Sequence, residues 1–357
     1  MYGTIRIERN EQGKAIPAAE QSLGFGRYFT DHMLLVDYEE GKGWHDPRIV
    51  PYAPLSLDPA AMVFHYGQAV FEGLKAYHCV DTGEVRIFRP DQNAKRLNRS
   101  NERLQMPLLD EDFFVNAIQA LVRLDAKWVP QKKGASLYIR PFVIATEAGL
   151  GVRSSSRYLF VVILSPVEAY YDEGLKPINI LVENHYARAV QGGIGDAKAA
   201  GNYAASLKAQ ALAKEKGCAQ VLWLDAIEKA HLEEVGSMNV FFRIGREVIT
   251  PSLSGSILAG ITRDSIIQLL CDWGVPVTER KISIAEIVQA YEEGTLEEAF
   301  GTGTAAVVSP IGSLLWGEKQ MDIQGGGIGE LTQKLYDAVT GIQSGSLPDS
   351  RGWMVSC

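Results

Sequence analysis

The sequence is short of cysteine and of long apolar runs. Its 357 residues include four cysteines, none in a C-x-x-C spacing, which predicts neither a disulfide framework nor a structural zinc site and favours a reducing, cytoplasmic location. The longest apolar run, "YLFVVIL" at 158–164, has the length of a strand. The start, "MYGTIRIERNEQGK", is charged, so we expect neither an export signal nor a membrane span.

Basic clusters and metal-binding patterns are also missing. The chain carries 43 acidic and 35 basic residues, a net charge of -8, and a sequence pI near 5.4. This balance argues against a nucleic-acid or anionic-membrane partner. The six histidines show no H-E-x-x-H spacing, and His78 beside Cys79 is too little to define a metal site. We therefore predict no catalytic metal.

Hydrophobic periodicity predicts two α/β domains. In residues 1–166, a smaller N-terminal domain, four segments have strand patterns and two have amphipathic helix patterns. The strands are "HMLLVDYE", "EVRIFRP", "ASLYIRPFVIA" and "YLFVVIL", and the helices are "QNAKRLNRSNERL" and "DEDFFVNAIQALVRLDAKWV". The segment "SPVEAYYDEGLKP" at 165–177 mixes two prolines, a glycine and acidic residues, and residues 167–177 are predicted to form the interdomain loop.

Residues 178–357 are predicted to form a larger, β-rich domain with helices. A helix is expected from about Tyr203 to Lys216, with Asn202 as its N-cap and Gly217 at its end. Strands are predicted in "INILVEN", "AQVLWLD" and "MNVFFRIGREVIT". Further helices are predicted in "GITRDSIIQLLCDW" and in "IAEIVQAYEEG", which precedes "LEEAFGTGTAAVVSP".

Lys198 stands apart from the lysines that follow it. Lys208, Lys214 and Lys216 fit a helical pattern and are expected to face water. Glycine and alanine surround Lys198, in "GDAKAAG", and leave room for another molecule. Partial desolvation would lower the pKa of such an amine and suit it to form a Schiff base, although these neighbours also fit an ordinary loop lysine.

A Schiff-base lysine that serves pyridoxal phosphate needs companions. In "HLEEVGSMN", strand alternation would direct either Glu233 or Glu234 inward as a partner for the ring nitrogen and leave the other in solvent. Gly260, Ile261 and Thr262 open a predicted helix, where backbone N–H groups favour a phosphate. Two surface carboxylates and a plain helix entrance are the alternatives for these patterns.

A rival interpretation comes from "GTGTAA", which matches the dinucleotide-binding pattern G-x-G-x-x-A, with Asp322 near the expected acidic position. Pro310 and Gly312 interrupt the helix that must follow such a loop. Aromatic clusters in "FGRYF", "FHYGQAVFEGLKAY" and "LYIRPF" are more typical of core than of a pocket, whereas Arg140 lies unexpectedly among apolar strand residues.

Taken in order, several segments resemble the branched-chain amino acid aminotransferases, which are pyridoxal phosphate enzymes of fold type IV. The segments are "FTDHM", "HYGQAVFEGLKAY", "RPDQNAKRLNRS", "SLYIRP", "GGIGDAKAAGNYAAS", "EEVGSMN", "SILAGITRDS" and "GTGTAA". The resemblance implies a two-domain α/β fold with the cofactor at the domain interface. It also implies a homodimer.

The resemblance assigns roles to individual residues. Lys198 would be the catalytic Schiff-base lysine, Tyr203 the donor to the phenolate oxygen, and Glu234 the partner of the ring nitrogen. The phosphate would be held by Arg96, Ile261, Thr262 and Thr304. Substrate-binding residues would be Phe25, Tyr66, Phe71, Tyr138, Ser237 and Ala305, with Arg140 for the distal carboxylate of glutamate, and Leu150 and Val152 would reach the neighbouring subunit's pocket.

Two departures from the family pattern matter. Ser237 stands where some relatives have threonine, and this change keeps a hydroxyl group. Ala306 and Ser309 occupy the cysteine positions of a redox-sensitive C-x-x-C found in certain animal members, so that switch is expected to be absent.

The implied activity is reversible transfer of an amino group between leucine, isoleucine or valine and 2-oxoglutarate. A D-amino acid aminotransferase or an aminodeoxychorismate lyase shares the fold, and pocket shape decides among them. A nicotinamide oxidoreductase and a catalytically silent binding protein are the alternatives from other classes.

Overall fold

The computed structural model describes residues 3–18, 21–80, 82–168 and 175–357. The chain folds into two compact units. Unit 1 comprises Met1–Tyr170, Ala197–Ala200 and Gly341–Cys357, and unit 2 comprises Tyr171–Asp196 and Gly201–Thr340. Residues 169–174 of the predicted interdomain loop lie outside the described residues, so that loop stays a prediction.

Unit 1 is built on one sheet with helices. Its elements are β1 (Arg6–Ile7), β2 (His32–Glu39), β3 (Gly43–Pro51), α1 (Met62–Tyr66), β4 (Ala69–Phe71), β5 (Leu74–His78), β6 (Val85–Phe88), α2 (Pro90–Arg103), α3 (Glu111–Leu124), β7 (Ser136–Ala145) and β8 (Arg157–Val167), with a short 3₁₀ turn at Ala126–Trp128. A C-terminal strand, Met354–Ser356, pairs with β6. The sheet order is β1-β3-β2-β8-β7-β5-β6 followed by this strand, and β4 also pairs with β7.

The helices of unit 1 form where the sequence predicts amphipathic patterns. Asp110 caps α3, because its carboxylate accepts a hydrogen bond from the N–H of Phe113 at 2.7 Å. Phe114, Ile118 and Leu121 follow at helical spacing and are buried. Helix α2 starts two residues before the predicted segment, with Pro90 in its first turn.

Unit 2 contains a closed ring of strands. Its elements are β9 (Ile178–Glu183), α4 (Ala200–Glu215), β10 (Gln220–Leu224), β11 (Leu232–Val235), β12 (Met238–Ile244), β13 (Glu247–Thr250), α5 (Ile261–Asp272), β14 (Val277–Glu279), α6 (Ile284–Glu292), β15 (Leu296–Gly303), β16 (Val307–Trp316) and β17 (Lys319–Asp322). Helix α7 covers Glu330–Ser344.

The strand order β11-β10-β9-β16-β15-β12 returns to its start because β12 also pairs with β11. Closure leaves none of these six strands with an unpaired edge, which makes their geometry mutually dependent. Two buried aromatic residues of these strands, Phe241 and Phe300, stack with ring centroids 5.1 Å apart. Strands β13 and β14 extend the sheet from β12.

Two predictions about local structure have clear outcomes. The N-cap assignment for α4 is wrong, because the helix begins at Ala200 and Asn202 lies inside it, where its side-chain N–H donates to the carbonyl of Ile194 at 2.8 Å. The objection to a dinucleotide loop is confirmed: "GTGTAA" joins β15 to β16, and a strand follows it in place of a helix.

The membrane question has a direct structural answer. Among the helices of the described ranges, none combines the length and the apolar character that crossing a bilayer requires.

Candidate functional site

Lys198 belongs to unit 1, although the chain on both sides of it belongs to unit 2. Its backbone N–H donates to Ser100 Oγ at 2.9 Å, and its carbonyl accepts from the N–H of Phe71 at 3.1 Å. Ala199 forms an isolated β-bridge with Val70. The backbone of the lysine is therefore held both before and after its side chain.

The Lys198 side chain is half-buried, as its small neighbours predict. Its Nζ lies 5.1 Å from the centroid of the Phe71 ring, within the range of a cation–π contact. The three later lysines, Lys208, Lys214 and Lys216, are exposed, which confirms the prediction that they face water.

Arg96, predicted to bind phosphate, is paired with a carboxylate that the sequence patterns did not single out. Arg96 Nε lies 2.7 Å from Glu72 Oε1, and Nη2 lies 2.7 Å from Oε2. The Nδ2 of Asn93 donates to the same carboxylate at 2.7 Å. Burial by itself would raise the pKa of Glu72, but the charges of Arg96 and Lys198 and these hydrogen bonds outweigh it, so the pKa is lowered.

Four of the predicted substrate-binding residues lie together in unit 1. The Arg140 guanidinium carbon lies 4.8 Å from the Phe71 ring centroid and 5.2 Å from that of Tyr138. Arg140 Nη2 donates to the Tyr138 hydroxyl at 2.9 Å, and Phe25 contacts the Tyr138 ring edge-on at 4.8 Å. The Arg140 Nε is buried and has no hydrogen-bond partner within the described residues. Phe71 thus neighbours both the Lys198 amine and the Arg140 guanidinium.

Three further predicted residues lie on the surface of unit 1. The Tyr66 hydroxyl donates to the carbonyl of Leu150. Leu150 is 70% exposed and Val152 is 85% exposed. Two large aliphatic side chains in one exposed loop are the kind of surface that a partner protein commonly covers.

In unit 2, Glu234 on β11 is buried and held by two side chains. Arg188 Nη2 lies 2.6 Å from Glu234 Oε2, and Asn239 Nδ2 donates to Oε1 at 3.2 Å. Arg188 also donates to the backbone carbonyls of Gly195, at 3.3 Å, and Ser256. Two donors on opposite oxygens fix the plane of the Glu234 carboxylate.

Tyr203 and Ser237 lie beside this carboxylate. Together with Arg188 and Glu234 they line a small cavity of about 10 Å³ in unit 2. Unit 2 therefore brings together the predicted phenolate donor, the predicted ring-nitrogen partner and one predicted substrate residue.

The predicted phosphate-binding residues of unit 2 lie on two other elements. Ile261 and Thr262 are the first residues of α5, whose N-cap, Gly260, supplies no side-chain hydrogen bond. A Cβ at Gly260 would lie 1.9 Å from Asn239 Oδ1, so any larger residue there would displace the Asn239 side chain. Thr304 and Ala305 lie in the turn between β15 and β16.

The prediction that one of Glu233 and Glu234 faces solvent is wrong, because both are buried. The segment that follows β13 covers the other face of β11, and Ser256 Oγ donates to Glu233 Oε1. Burial raises the pKa of Glu233, and this effect exceeds the lowering by the Ser256 hydrogen bond and the Arg188 charge. Strand alternation predicts that the two carboxylates lie on opposite faces of β11. It does not predict that one of those faces is open to solvent.

Sequence reasoning missed four residues that hold the predicted ones: Glu72, Ser100, Arg188 and Asn239. The sequence pattern could have identified Glu72, because a carboxylate between Phe71 and Gly73 in an apolar segment needs a buried cation. Ser100, Arg188 and Asn239 look like ordinary polar residues, and their roles depend on contacts with distant parts of the chain.

Comparison with known proteins gives consistent results. The amino-transferase class IV family matches residues 69–314. The chain is 58% identical over 350 residues to branched-chain-amino-acid aminotransferase 2 of Bacillus subtilis (strain 168), covering 98% of this chain and 96% of that protein. It is 60% identical over 335 residues to branched-chain-amino-acid transaminase 1 of the same organism, covering 94% of each.

Solved structures agree with the sequence comparisons. The crystal structure of the Escherichia coli branched-chain amino acid aminotransferase superposes with a TM-score of 0.75 at 27% identity, covering 91% of this chain and 98% of that one. The Thermobaculum terrenum branched-chain amino acid aminotransferase in its PLP form gives a TM-score of 0.74 at 25% identity, covering 90% and 97%.

Proposed function

This chain belongs to the class IV aminotransferases of fold type IV, and from that premise we propose that it is a branched-chain amino acid aminotransferase. The reaction is reversible transfer of an amino group between leucine, isoleucine or valine and 2-oxoglutarate, with pyridoxal phosphate as coenzyme. The proposal rests on the setting of Lys198. Its backbone N–H and its carbonyl are both hydrogen-bonded, and its amine lies beside the Phe71 ring.

The donor set fits this coenzyme. A phosphate dianion requires charged or backbone donors, and Arg96 together with the start of α5 at Ile261 and Thr262 offers both. A pyridine nitrogen that must stay protonated requires an ionised carboxylate, and Arg188 beside Glu234 favours that form.

When bound, the coenzyme supplies an aldehyde carbon that accepts the amino group and a ring that withdraws electrons. Lys198 Nζ would hold the coenzyme through this carbon, and as a free amine it would move the proton of the substrate Cα. The Glu234 carboxylate holds the proton of the ring nitrogen, and the Tyr203 hydroxyl donates to the phenolate oxygen. Arg96, Ile261, Thr262 and Thr304 bind the phosphate.

The substrate pocket must accept an apolar side chain and the carboxylate of glutamate in turn. Phe25, Phe71 and Tyr138 offer aromatic surface for the branched side chain. The family resemblance adds Tyr66, Ser237 and Ala305 as substrate-binding residues. Arg140, whose Nε is buried without a hydrogen-bond partner within the described residues, binds the distal carboxylate.

Homodimer formation and a cytoplasmic location belong to the same proposal. The exposed Leu150 and Val152 side chains support a partner at this loop. Native mass measurement tests the assembly state. Mixing the separately inactive Lys198→Ala and Val152→Asp variants should restore activity if the loop completes a neighbouring site, because a mixed dimer contains one site with both native residues. No restoration would exclude the shared site.

Absorbance of the purified protein tests the activity. The protein should be yellow, should bleach when leucine is added without an acceptor, and should regain its colour with 2-oxoglutarate. Bleaching by D-alanine in place of leucine would favour a D-amino acid aminotransferase. A colourless protein whose unfolding temperature shifts with NAD would contradict the proposal and support the oxidoreductase.

A further inference from the structure

Ser100 lies on α2, one helical turn beyond Arg96, and its side chain is fully buried. Its hydroxyl makes two hydrogen bonds. Ser100 Oγ donates to the backbone carbonyl of Arg96 at 3.0 Å and accepts from the backbone N–H of Lys198 at 2.9 Å. A serine hydroxyl has a single proton. Because that proton is directed at the Arg96 carbonyl, an oxygen lone pair remains for the N–H of Lys198.

These contacts are part of a closed circuit within unit 1. Lys198 accepts a hydrogen bond from Phe71, and Phe71 precedes Glu72, which is paired with the Arg96 guanidinium. Arg96 is linked through its own carbonyl to Ser100, and Ser100 is linked back to Lys198. Each member of this circuit is linked to two others, and a change at Ser100 removes the hydrogen bond to the backbone N–H of Lys198.

We propose that Ser100 is a positioning residue that sets the backbone of Lys198 at a fixed distance from Arg96. This inference rests on the proposed function, in which Arg96 would bind the phosphate of the coenzyme and Lys198 would supply the amine that holds it. A lysine side chain has four rotatable bonds, so its amine can be placed reproducibly only if its backbone is fixed. Misplacement of a reacting group by about 1 Å costs on the order of 100-fold in rate.

The alternative is that Ser100 only stabilises the fold. Rates per folded, coenzyme-loaded molecule separate the two roles, because a purely structural residue leaves them unchanged. Ser136 offers a matched control: it is also a fully buried serine of unit 1, and its hydroxyl has no hydrogen-bond partner among the described residues.

The test compares Ser100→Ala, Ser100→Thr and Ser136→Ala with the wild-type holoenzyme. The rate constant of the half-reaction with leucine is measured in single turnovers, and the loaded fraction is measured by borohydride reduction and peptide mapping. Ser100→Ala should lower the rate constant about 10- to 100-fold, with the leucine concentration at half-saturation changed less than about twofold. Attachment of coenzyme to Lys198 in the apo protein should slow as well.

Ser100→Thr keeps the hydroxyl and should recover most of the rate, whereas Ser136→Ala should behave as wild type. Wild-type rate constants in loaded Ser100→Ala would overturn the inference, as would equal losses in Ser100→Ala and Ser136→Ala. If the added methyl group prevents Ser100→Thr from folding, the comparison of the two alanine variants decides alone. Coenzyme found on a residue other than Lys198 in the wild type would instead refute the proposed function.

Discussion

Glu72 and Arg96 form a two-point ion pair in the interior of unit 1, with both nitrogen–oxygen distances at 2.7 Å. The Glu72 side chain is 0% exposed and that of Arg96 is 5% exposed. Removal of one partner from such a pair leaves an uncompensated buried charge. Glu72 therefore orients the arginine that is proposed to bind phosphate, and its replacement should destabilise the folded protein.

Glu72→Gln should lower the free energy of unfolding near pH 7 by about 3 kcal/mol. The pKa of Glu72 is lowered in the folded state, so its ionised form adds stability above its ordinary pKa of 4.5, and this stability is lost as the pH falls below that value. Urea unfolding at several pH values measures the difference in the free energy of unfolding between wild type and Glu72→Gln. This difference should become smaller in acid.

The control for this prediction is Glu84→Gln. The exposed Glu84 pairs with the partly buried Arg86 at 3.0 Å, and an ion pair that is open to water contributes less than about 1 kcal/mol. Equal losses of unfolding free energy in Glu84→Gln and Glu72→Gln would show that burial does not increase the contribution of the Glu72 pair to stability.

Lys198→Ala should still bind pyridoxal phosphate but should not turn over, because the phosphate contacts remain and the amine that moves the proton is gone. Equilibrium dialysis measures binding, and leucine-dependent formation of glutamate from 2-oxoglutarate measures turnover. Lys208→Ala, which removes an exposed lysine of α4, is the control and should keep full activity. Turnover by Lys198→Ala would exclude Lys198 as the catalytic lysine.

Arg140→Met should raise the KM for 2-oxoglutarate about 10- to 100-fold, the loss expected for a charge-assisted hydrogen bond. The KM for leucine should change far less, since its side chain has no distal carboxylate. Steady-state kinetics with each substrate varied in turn measures both constants. Arg157→Met removes an exposed arginine and should change neither. Equal effects on both substrates would argue for a general role of Arg140 in packing.

The burial of Lys75, on β5, leads us to predict that the stability of the protein changes with pH in the alkaline range. Burial lowers the pKa of Lys75 from 10.5 to about 8. Between these values the unfolded chain binds the proton more tightly than the folded protein does, so raising the pH through this window favours the folded state. The wild type should gain up to about 3 kcal/mol relative to Lys75→Met as the pH rises from 8 to 10.5. A difference in unfolding free energy between the two proteins that stays constant across this pH range would contradict the prediction.

Local patterns predicted the elements that depend on neighbours in the sequence. The strand predicted at "HMLLVDYE" is β2, residue for residue. The helix predicted at "DEDFFVNAIQALVRLDAKWV" is α3 with its aspartate cap, but α3 ends at Leu124 and a 3₁₀ turn follows at Ala126–Trp128. Strand β3, which holds Pro47 and the left-handed Asp46, was not predicted, because its alternation is broken and its pairing with β2 gives it order. The C-terminal strand Met354–Ser356 has too few residues for a pattern and exists through β6.

The candidate site divides in the same way. By itself the sequence determined which residue types stand where: a lysine among glycines and alanines, two adjacent glutamates entering a strand, and a glycine that opens a helix. Only the tertiary structure decided that both glutamates are buried, that Glu72 holds Arg96, and that Ser100 holds Lys198. The physical reason is that a hydrogen bond or an ion pair depends on distance in space, and the partners here are 24 and 98 positions apart in the chain.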